Sequence, residues 1–379
     1  MRRSAARSDV AAIKTLCITE DPDRPTTATF VGLKRAGVDI AVVCPPNAAK
    51  SRAMLAEAGV PMLELDVRGR FDRAGTQRLR DELVRGRYDV LHVFSNRPLE
   101  SGIVATRGLP VRLVAYRGIV GNVSFFSPMS WLRFLNPRID RIVCVCNAVR
   151  DYFLSMRPAS LRMPAGRPVT IYKGHSLDWY TAKPGDLSTV GIPAGTFVVV
   201  CVANYRPRKG IELLVDALAE LPREWPVHLL LVGRMDAPSL HARVAASPVR
   251  ERIHVPGHRD DAPALVAACD VFALPSVKRE GLARSLIEAM AYGVAPVVTD
   301  CGGSSEVVVD GRCGIVVPVR DASALARAIA RLYENPELRR QFGATARARI
   351  ANDFRIERTI EQTLALYHEL VGGSGGEAR

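Results

Sequence analysis

No apolar run in the 379-residue sequence approaches about 18 residues, so no membrane-spanning helix is expected. Arg2-Arg3 is followed by Ser-Ala-Ala-Arg-Ser-Asp and not by an apolar core, which argues against a signal peptide. The chain has eight cysteines but no CxxC and no Cys/His spacing of a zinc site. Cys17, Cys44, Cys144, Cys146, Cys201 and Cys269 fall in or beside apolar runs, and Cys301 and Cys313 lie near glycine turns. They read as reduced, buried thiols of a cytosolic protein. There is no aromatic-interleaved basic stretch and no helix-turn-helix pattern, so only charge would favour nucleic acid as a partner. No pair of acids reads as a glycosidase couple.

Apolar residues make up 48% of the chain, enough for two ordinary cores. The net charge of +13 is uneven. Residues 1–187 hold 29 Lys/Arg against 17 Asp/Glu, and residues 188–379 hold 23 against 22. A basic half suits an anionic partner: a lipid surface, a phosphorylated glycan or nucleic acid. An arginine-rich surface with no partner is the alternative.

Strand-like and helix-like stretches alternate along the whole chain. Apolar runs at Ile13–Thr19, Val38–Cys44, Tyr88–Phe94, Val111–Tyr116 and Ile139–Cys146 are separated by helical patterns. The alternation restarts at Thr196–Val202, Val227–Val232, Ile253–Val255, Val271–Leu274, Pro296–Thr299 and Ile315–Val317. This predicts an α/β protein of two doubly wound Rossmann-like domains, 1–187 and 188–355. A last helix over about 356–370 joins the first of them. Ligands of such sheets sit at the carboxyl ends of strands, which places a site in the cleft between the two.

The stretch from Lys278 to Gly293 carries the sharpest chemistry. Glu280 and Glu288 stand eight residues apart, Gly281 opens a helix between them, and Gly293 ends it. A helix start offers unpaired N–H groups and a positive dipole end, which suit a diphosphate. Eight residues at 1.5 Å rise span roughly 12 Å. That is about the reach from the sugar of a nucleotide-sugar across its diphosphate to the ribose. The bland alternative is two solvated surface acids.

Several stretches in one order resemble the retaining glycosyltransferases of family 4, with the GT-B fold. They are Ala203 to Gly210, reading Ala-Asn-Tyr-Arg-Pro-Arg-Lys-Gly; Val232-Gly233-Arg234; Val255-Pro256-Gly257; and Asp270 to Ser276 before the Glu-x7-Glu pair. Pro296 to Gly303, Glu306 and Asp310-Gly311-x-x-Gly314 follow. The resemblance is specific over residues 198–350 and topological before that. It implies a glycosyltransferase that moves a sugar from a nucleotide-sugar to a hydroxyl acceptor with retention. Cell-envelope glycan, lipopolysaccharide or glycolipid synthesis would be its setting. It further implies that Lys209 and Arg208, with Arg206 as the alternative arginine, grip the donor diphosphate. Glu280 would hold the donor sugar and Glu288 the ribose. The backbone of Gly281, Leu282 and Ala283 would approach the phosphates, and Gly233 and Gly257 would let the chain pass close to the base. Arg284 either adds a phosphate contact or faces solvent.

The first loop, Thr19 to Thr26, lacks the paired glycines common in the family. Tyr116-Arg117-Gly118 stands where the family often has a histidine, so Arg117 replaces it or binds a phosphorylated acceptor. His92 and His175 are other candidates. Asp21-x-Asp23 matches a metal-binding pattern only formally, and neither a metal nor a cofactor is expected. The partners implied are a nucleotide-sugar, a glycan or lipid-linked acceptor, and an anionic membrane face. Phe125, Phe126, Trp131 and Phe134 among arginines of the basic half would meet that face. The location implied is cytoplasmic, peripheral on the inner face of the membrane. A catalytically inactive nucleotide-sugar binder and a GT-B epimerase are the rival readings.

Overall fold

The computed structural model describes residues 12–69, 71–156 and 161–372. The loose start expected over 1–12 and the loose tail over 372–379 fall almost wholly outside them. The first half is a sheet of seven parallel strands. They are β1 (Lys14–Ile18), β2 (Asp39–Val43), β3 (Met62–Leu63), β4 (Val90–Val93), β5 (Arg112–Arg117), β6 (Arg141–Cys144) and β7 (Pro168–Thr170). Their spatial order is β3-β2-β1-β4-β5-β6-β7. Its helices are α1 (Arg24–Arg35), α2 (Ala49–Glu57), α3 (Arg73–Gly86), α4 (Asn96–Ala105), α5 (Pro128–Trp131) and α6 (Asn147–Leu154).

The second half repeats the plan with six parallel strands. These are β8 (Phe197–Val202), β9 (Val227–Val232), β10 (Ile253–Gly257), β11 (Val271–Leu274), β12 (Ala295–Thr299) and β13 (Ile315–Val317). The order is β10-β9-β8-β11-β12-β13. Here the helices are α7 (Glu212–Ala219), α8 (Pro238–Ala245), α9 (Ala262–Ala267), α10 (Arg284–Ala291), α11 (Ser304–Val307), α12 (Ala322–Glu334) and α13 (Pro336–Asp353). α14 (Ile356–Gly372) closes the chain.

Local chemistry sets these elements. β8 is a continuous apolar run and β9 one broken only by His228, and both are buried along nearly their whole length, as central parallel strands covered on both faces must be. Asp23 caps α1 by accepting from Thr26 N, with Pro25 in the first turn, and Asp321 caps α12 in the same way. α13 carries little apolar periodicity, because its buried face is Phe342, Gly343, Ala346 and Ile350. A Cβ on Gly343 would fall 2.0 Å from Gly293 O, so this helix packs by closeness and not by bulk. That is why the pattern of large apolar residues does not announce it.

The chain crosses between the halves twice, and the two crossings lie side by side. His175 N donates to Phe354 O at 2.7 Å, and Ile356 N donates to His175 O at 3.0 Å. Beyond the second crossing α14 lies on α1, where Gly32 makes room for Ile360. Tyr367 of α14 is fully buried, and its hydroxyl is 2.8 Å from His92 Nδ1. All eight cysteines are free and buried. Among the described residues, no helix is long and apolar enough to cross a membrane.

Candidate active site

In the second sheet β8 is flanked by β9 on one side and β11 on the other, so the winding reverses between β8 and β11. Loops leaving the carboxyl ends of such a strand pair splay apart and leave a crevice. The loop after β8 carries Arg206, Arg208 and Lys209 in a tight turn that ends at Gly210 with φ +61°. A Cβ on Gly210 would fall 2.5 Å from Pro275 O, so only glycine lets this loop lie against the one after β11. Val277 N donates to Arg208 O at 2.8 Å and ties the two loops together.

This brings Lys209 to Glu280. Lys209 Nζ is 2.7 Å from Glu280 Oε2, and Ser276 Oγ donates to the same oxygen at 2.5 Å. Glu280 is only 5% exposed, so the pair is a buried one. The helix expected to open at Gly281 starts three residues later, at Arg284. The spacing of the two acids is therefore part loop and part helix, and only Glu288 rides on α10. The reason is packing: a Cβ on Gly281 would lie 2.0 Å from Gly118 O of the first half, and one on Gly302 2.0 Å from Glu280 O. The loop is held extended between two backbones before it turns into the helix. Ala283 at the N-cap supplies no side-chain bond, so the first amides of α10 have no side-chain cap.

A cavity of about 600 Å³ opens there. Arg206, Arg208, Lys209, Gly233, Ala283, Arg284 and Glu288 all line it. Arg284 and Glu288 pair across one helical turn at 3.2 Å. Burial pushes the Glu288 carboxyl above its ordinary range, against the pull of Arg284. Gly233, at φ +125°, passes so close to Ala203 O that a Cβ would fall 2.1 Å from it. Gly257 stands behind Gly233, accepting from its N–H at 2.9 Å, and does not border the cavity. Leu282 packs instead into the apolar cores of both halves. Asn204, Arg234, His258 and Arg259 also line the cleft. Each follows the carboxyl end of β8, β9 or β10, and that position alone is the signal by which sequence reading finds them.

On the other side of the cleft the structure corrects the expectation for Arg117. Its guanidinium does not reach the cleft. It is buried, stacks over Phe134, and donates to Ile119 O at 3.1 Å and to Gly121 O. Burial draws it down to about 10. Arg117 thus holds the 118–121 loop, whose backbone touches Gly281 and Arg279 of the second half. His92 is buried in the first core, and His175 lies at the chain crossing against Tyr180. His175 borders a recess of about 170 Å³ shared with Arg284 and Glu288. Asp23 is the cap of α1 and pairs with Lys173 at 3.0 Å. Burial would raise its carboxyl, but Lys173 and Thr26 together bring it below the usual range. Among the described residues, no three metal-ligating side chains converge.

A second cavity, of about 690 Å³, lies at the carboxyl ends of β1, β2 and β3. Ile18, Val43, Leu63 and Pro98 give it an apolar wall, with Arg52 and Arg97 beside them.

The family model for glycosyl transferases group 1 matches residues 186–349, and that for glycosyltransferase family 4 matches residues 29–179. A phosphatidyl-myo-inositol mannosyltransferase of Mycolicibacterium smegmatis is 25% identical over 356 residues, covering 90% of this chain and 88% of that protein. A lipopolysaccharide core biosynthesis mannosyltransferase of Rhizobium leguminosarum is 31% identical over 209 residues, covering 52% of this chain and 59% of that one. Among solved structures, a glycosyltransferase from Rickettsia africae superposes with a TM-score of 0.80 at 18% identity, covering 95% of this chain and 99% of that one. Anabaena Alr3699/HepE in complex with UDP-glucose superposes with a TM-score of 0.74 at 22% identity, over 93% of this chain and 100% of that one. Two facing doubly wound sheets, matched half by half, make this chain a glycosyltransferase of family 4, group 1, with the GT-B fold.

Proposed function

We propose that this protein transfers a sugar from a nucleotide-sugar to a hydroxyl acceptor with retention of anomeric configuration. One observation carries the reading: Arg208, Lys209, Arg284 and the uncapped start of α10 surround a single cleft, with Glu280 pinned behind Lys209. As the glycosidic bond breaks, the leaving nucleoside diphosphate gains charge. Fixed cations and helix amides already in place stabilise it without reorganising. Lys209 and Arg208 face the diphosphate, Glu288 takes the ribose hydroxyls, and Glu280 meets the sugar. These cations do the work a metal does elsewhere, so transfer proceeds without one. The acceptor hydroxyl approaches on the face the diphosphate is leaving, and the departing phosphate takes its proton. The chain supplies alignment and charge.

The acceptor occupies the first half, in the cavity beside Arg52 and Arg97. Some relatives are named for lipid and lipopolysaccharide-core acceptors, and a structural neighbour holds UDP-glucose. This supports an envelope glycan or glycolipid as product. Phe126 is 80% exposed and Trp131 39%, with Met129 between them in sequence, whereas Phe125 and Phe134 are core. Phe71 is 84% exposed. Arg133 pairs with Glu100 of α4, and Gly69 lies against the same helix, so both exposed segments flank α4. In the basic half, this edge suits peripheral contact with an anionic cytoplasmic membrane face.

The test is transfer from UDP-, GDP- and ADP-sugars, each screened first by thermal stabilisation. Glu280→Gln and Lys209→Ala are expected to abolish transfer in folded protein. Full activity in both variants removes the assignment. Flotation with anionic vesicles at low salt tests the membrane contact, and no binding there points to a soluble acceptor.

A further inference from the structure

α6 starts at Asn147, and the residue at its N-cap, Cys146, gives no side-chain bond to the helix. The cap comes from the other half of the molecule. Asn147 N donates to Glu306 Oε2 at 2.8 Å, and Ala148 N donates to Oε1 at 2.6 Å. The Tyr172 hydroxyl donates to Oε2 at 2.6 Å and accepts from Asn147 Nδ2 at 2.7 Å. Glu306 belongs to α11, after β12, and α6 follows β6 of the first sheet. One carboxylate thus satisfies two otherwise orphaned amides at the positive end of a helix in the facing domain.

The setting makes this contact sensitive to the separation of the halves. A Cβ on Gly303, three residues before Glu306, would lie 3.0 Å from Cys146 Sγ, so the Gly303 backbone lies close against the Cys146 side chain. Arg349 of α13 holds α11 from its own side, donating to Glu306 O at 2.9 Å and Val307 O at 2.8 Å. Tyr172 packs edge-on against Phe354, with ring centres 5.3 Å apart, at the place where the two chain crossings run together. The Glu306 contact therefore sits between that seam and the cleft. Any opening of the cleft about the seam pulls the carboxylate off α6.

We propose that Glu306 is a positioning residue, an interdomain latch that keeps the cleft closed by capping α6 and that lets go when the halves part. The kinetic and UDP-binding arms of its test rest on the proposed sugar transfer; the exchange and scattering arms do not.

The test compares wild type with Glu306→Gln and Tyr172→Phe. Hydrogen exchange is read at the Asn147 and Ala148 amides, and the radius of gyration by X-ray scattering. UDP binding and, where transfer is measurable, kcat and KM are read beside them. Glu306→Gln is expected to raise exchange at both amides about tenfold, the factor that matches a lost cap of ~1.4 kcal/mol. The radius grows, kcat falls about tenfold, and UDP affinity stays within about threefold, because the donor cleft is untouched. Protected amides together with an unchanged radius overturn the latch. So does a loss of UDP affinity as large as the loss of turnover, which would assign Glu306 to the donor site. Should Glu306→Gln not fold, Tyr172→Phe decides: about threefold faster exchange at Asn147 supports the latch, and unchanged exchange refutes it. If wild type transfers no sugar from any donor, the functional reading falls, while exchange and scattering still decide the latch.

Discussion

The buried pair at the centre of the cleft allows a worked prediction. Lys209 and Glu280 side chains are 14% and 7% exposed and 2.7 Å apart. Lys209→Met keeps the aliphatic stem and removes the ammonium, leaving a carboxylate supported only by the Ser276 hydroxyl. Breaking a buried pair from one side costs about 3–5 kcal/mol, and the Ser276 bond points to the lower end. At roughly 2–4 °C per kcal/mol for a domain of this size, the melting temperature drops by roughly 6–12 °C. Adding Glu280→Gln removes the orphaned charge, so the double variant should recover to within about 1 kcal/mol of wild type. A two-domain chain can unfold in two steps, so the transition to read is the one raised by whichever nucleoside diphosphate binds in the thermal screen. A Lys209→Met protein melting within about 2 °C of wild type refutes the argument. A double variant as unstable as the sum of its singles refutes it too.

Two further outcomes follow from buried groups. Burial holds His92 and His175 down to about 3 each, whereas the unfolded chain binds protons near pH 6.5. Stability should therefore fall as pH drops below about 6.5, by ~1.4 kcal/mol per unit per histidine, and His175→Asn should flatten that slope. A melting temperature that does not change between about pH 7 and pH 5 contradicts it. Arg117→Gln should cost about 1–3 kcal/mol by unpairing the Ile119 and Gly121 carbonyls, and leave UDP affinity unchanged. A tenfold or greater loss of UDP affinity would contradict this and give Arg117 a direct role in the cleft.

Both sheets are legible in the sequence, because parallel strands buried on two faces read as apolar runs, unbroken in β8 and interrupted only by His228 in β9. The meeting of Lys209 and Glu280 is legible for a related reason. Each lies in the loop that leaves a strand flanking the point where the winding reverses, and strand ends are visible in sequence. The start of α10 is less so, since Gly281 resembles a helix opener until the Gly118 backbone is known to lie against it. Arg117 misleads because a cation at a strand end looks equally like a ligand or a brace. Its two carbonyl partners belong to a loop whose path no local pattern reveals. Glu306 is visible as a motif residue, but its partners are amides 158 and 159 positions away in the other half. α13 escapes because alanine and glycine can pack a helix without a strong apolar stripe.

The paired crossings have a consequence for how the two halves are connected. α14 returns to the half in which the chain began, so the second half is in effect an insert between His175 and Phe354, residues joined by a 2.7 Å hydrogen bond. An insert whose entrance and exit adjoin can be excised and the host respliced by a short turn, without stretching either piece. It also means that labels placed near the start of β1 and near the end of α14 report on the same body.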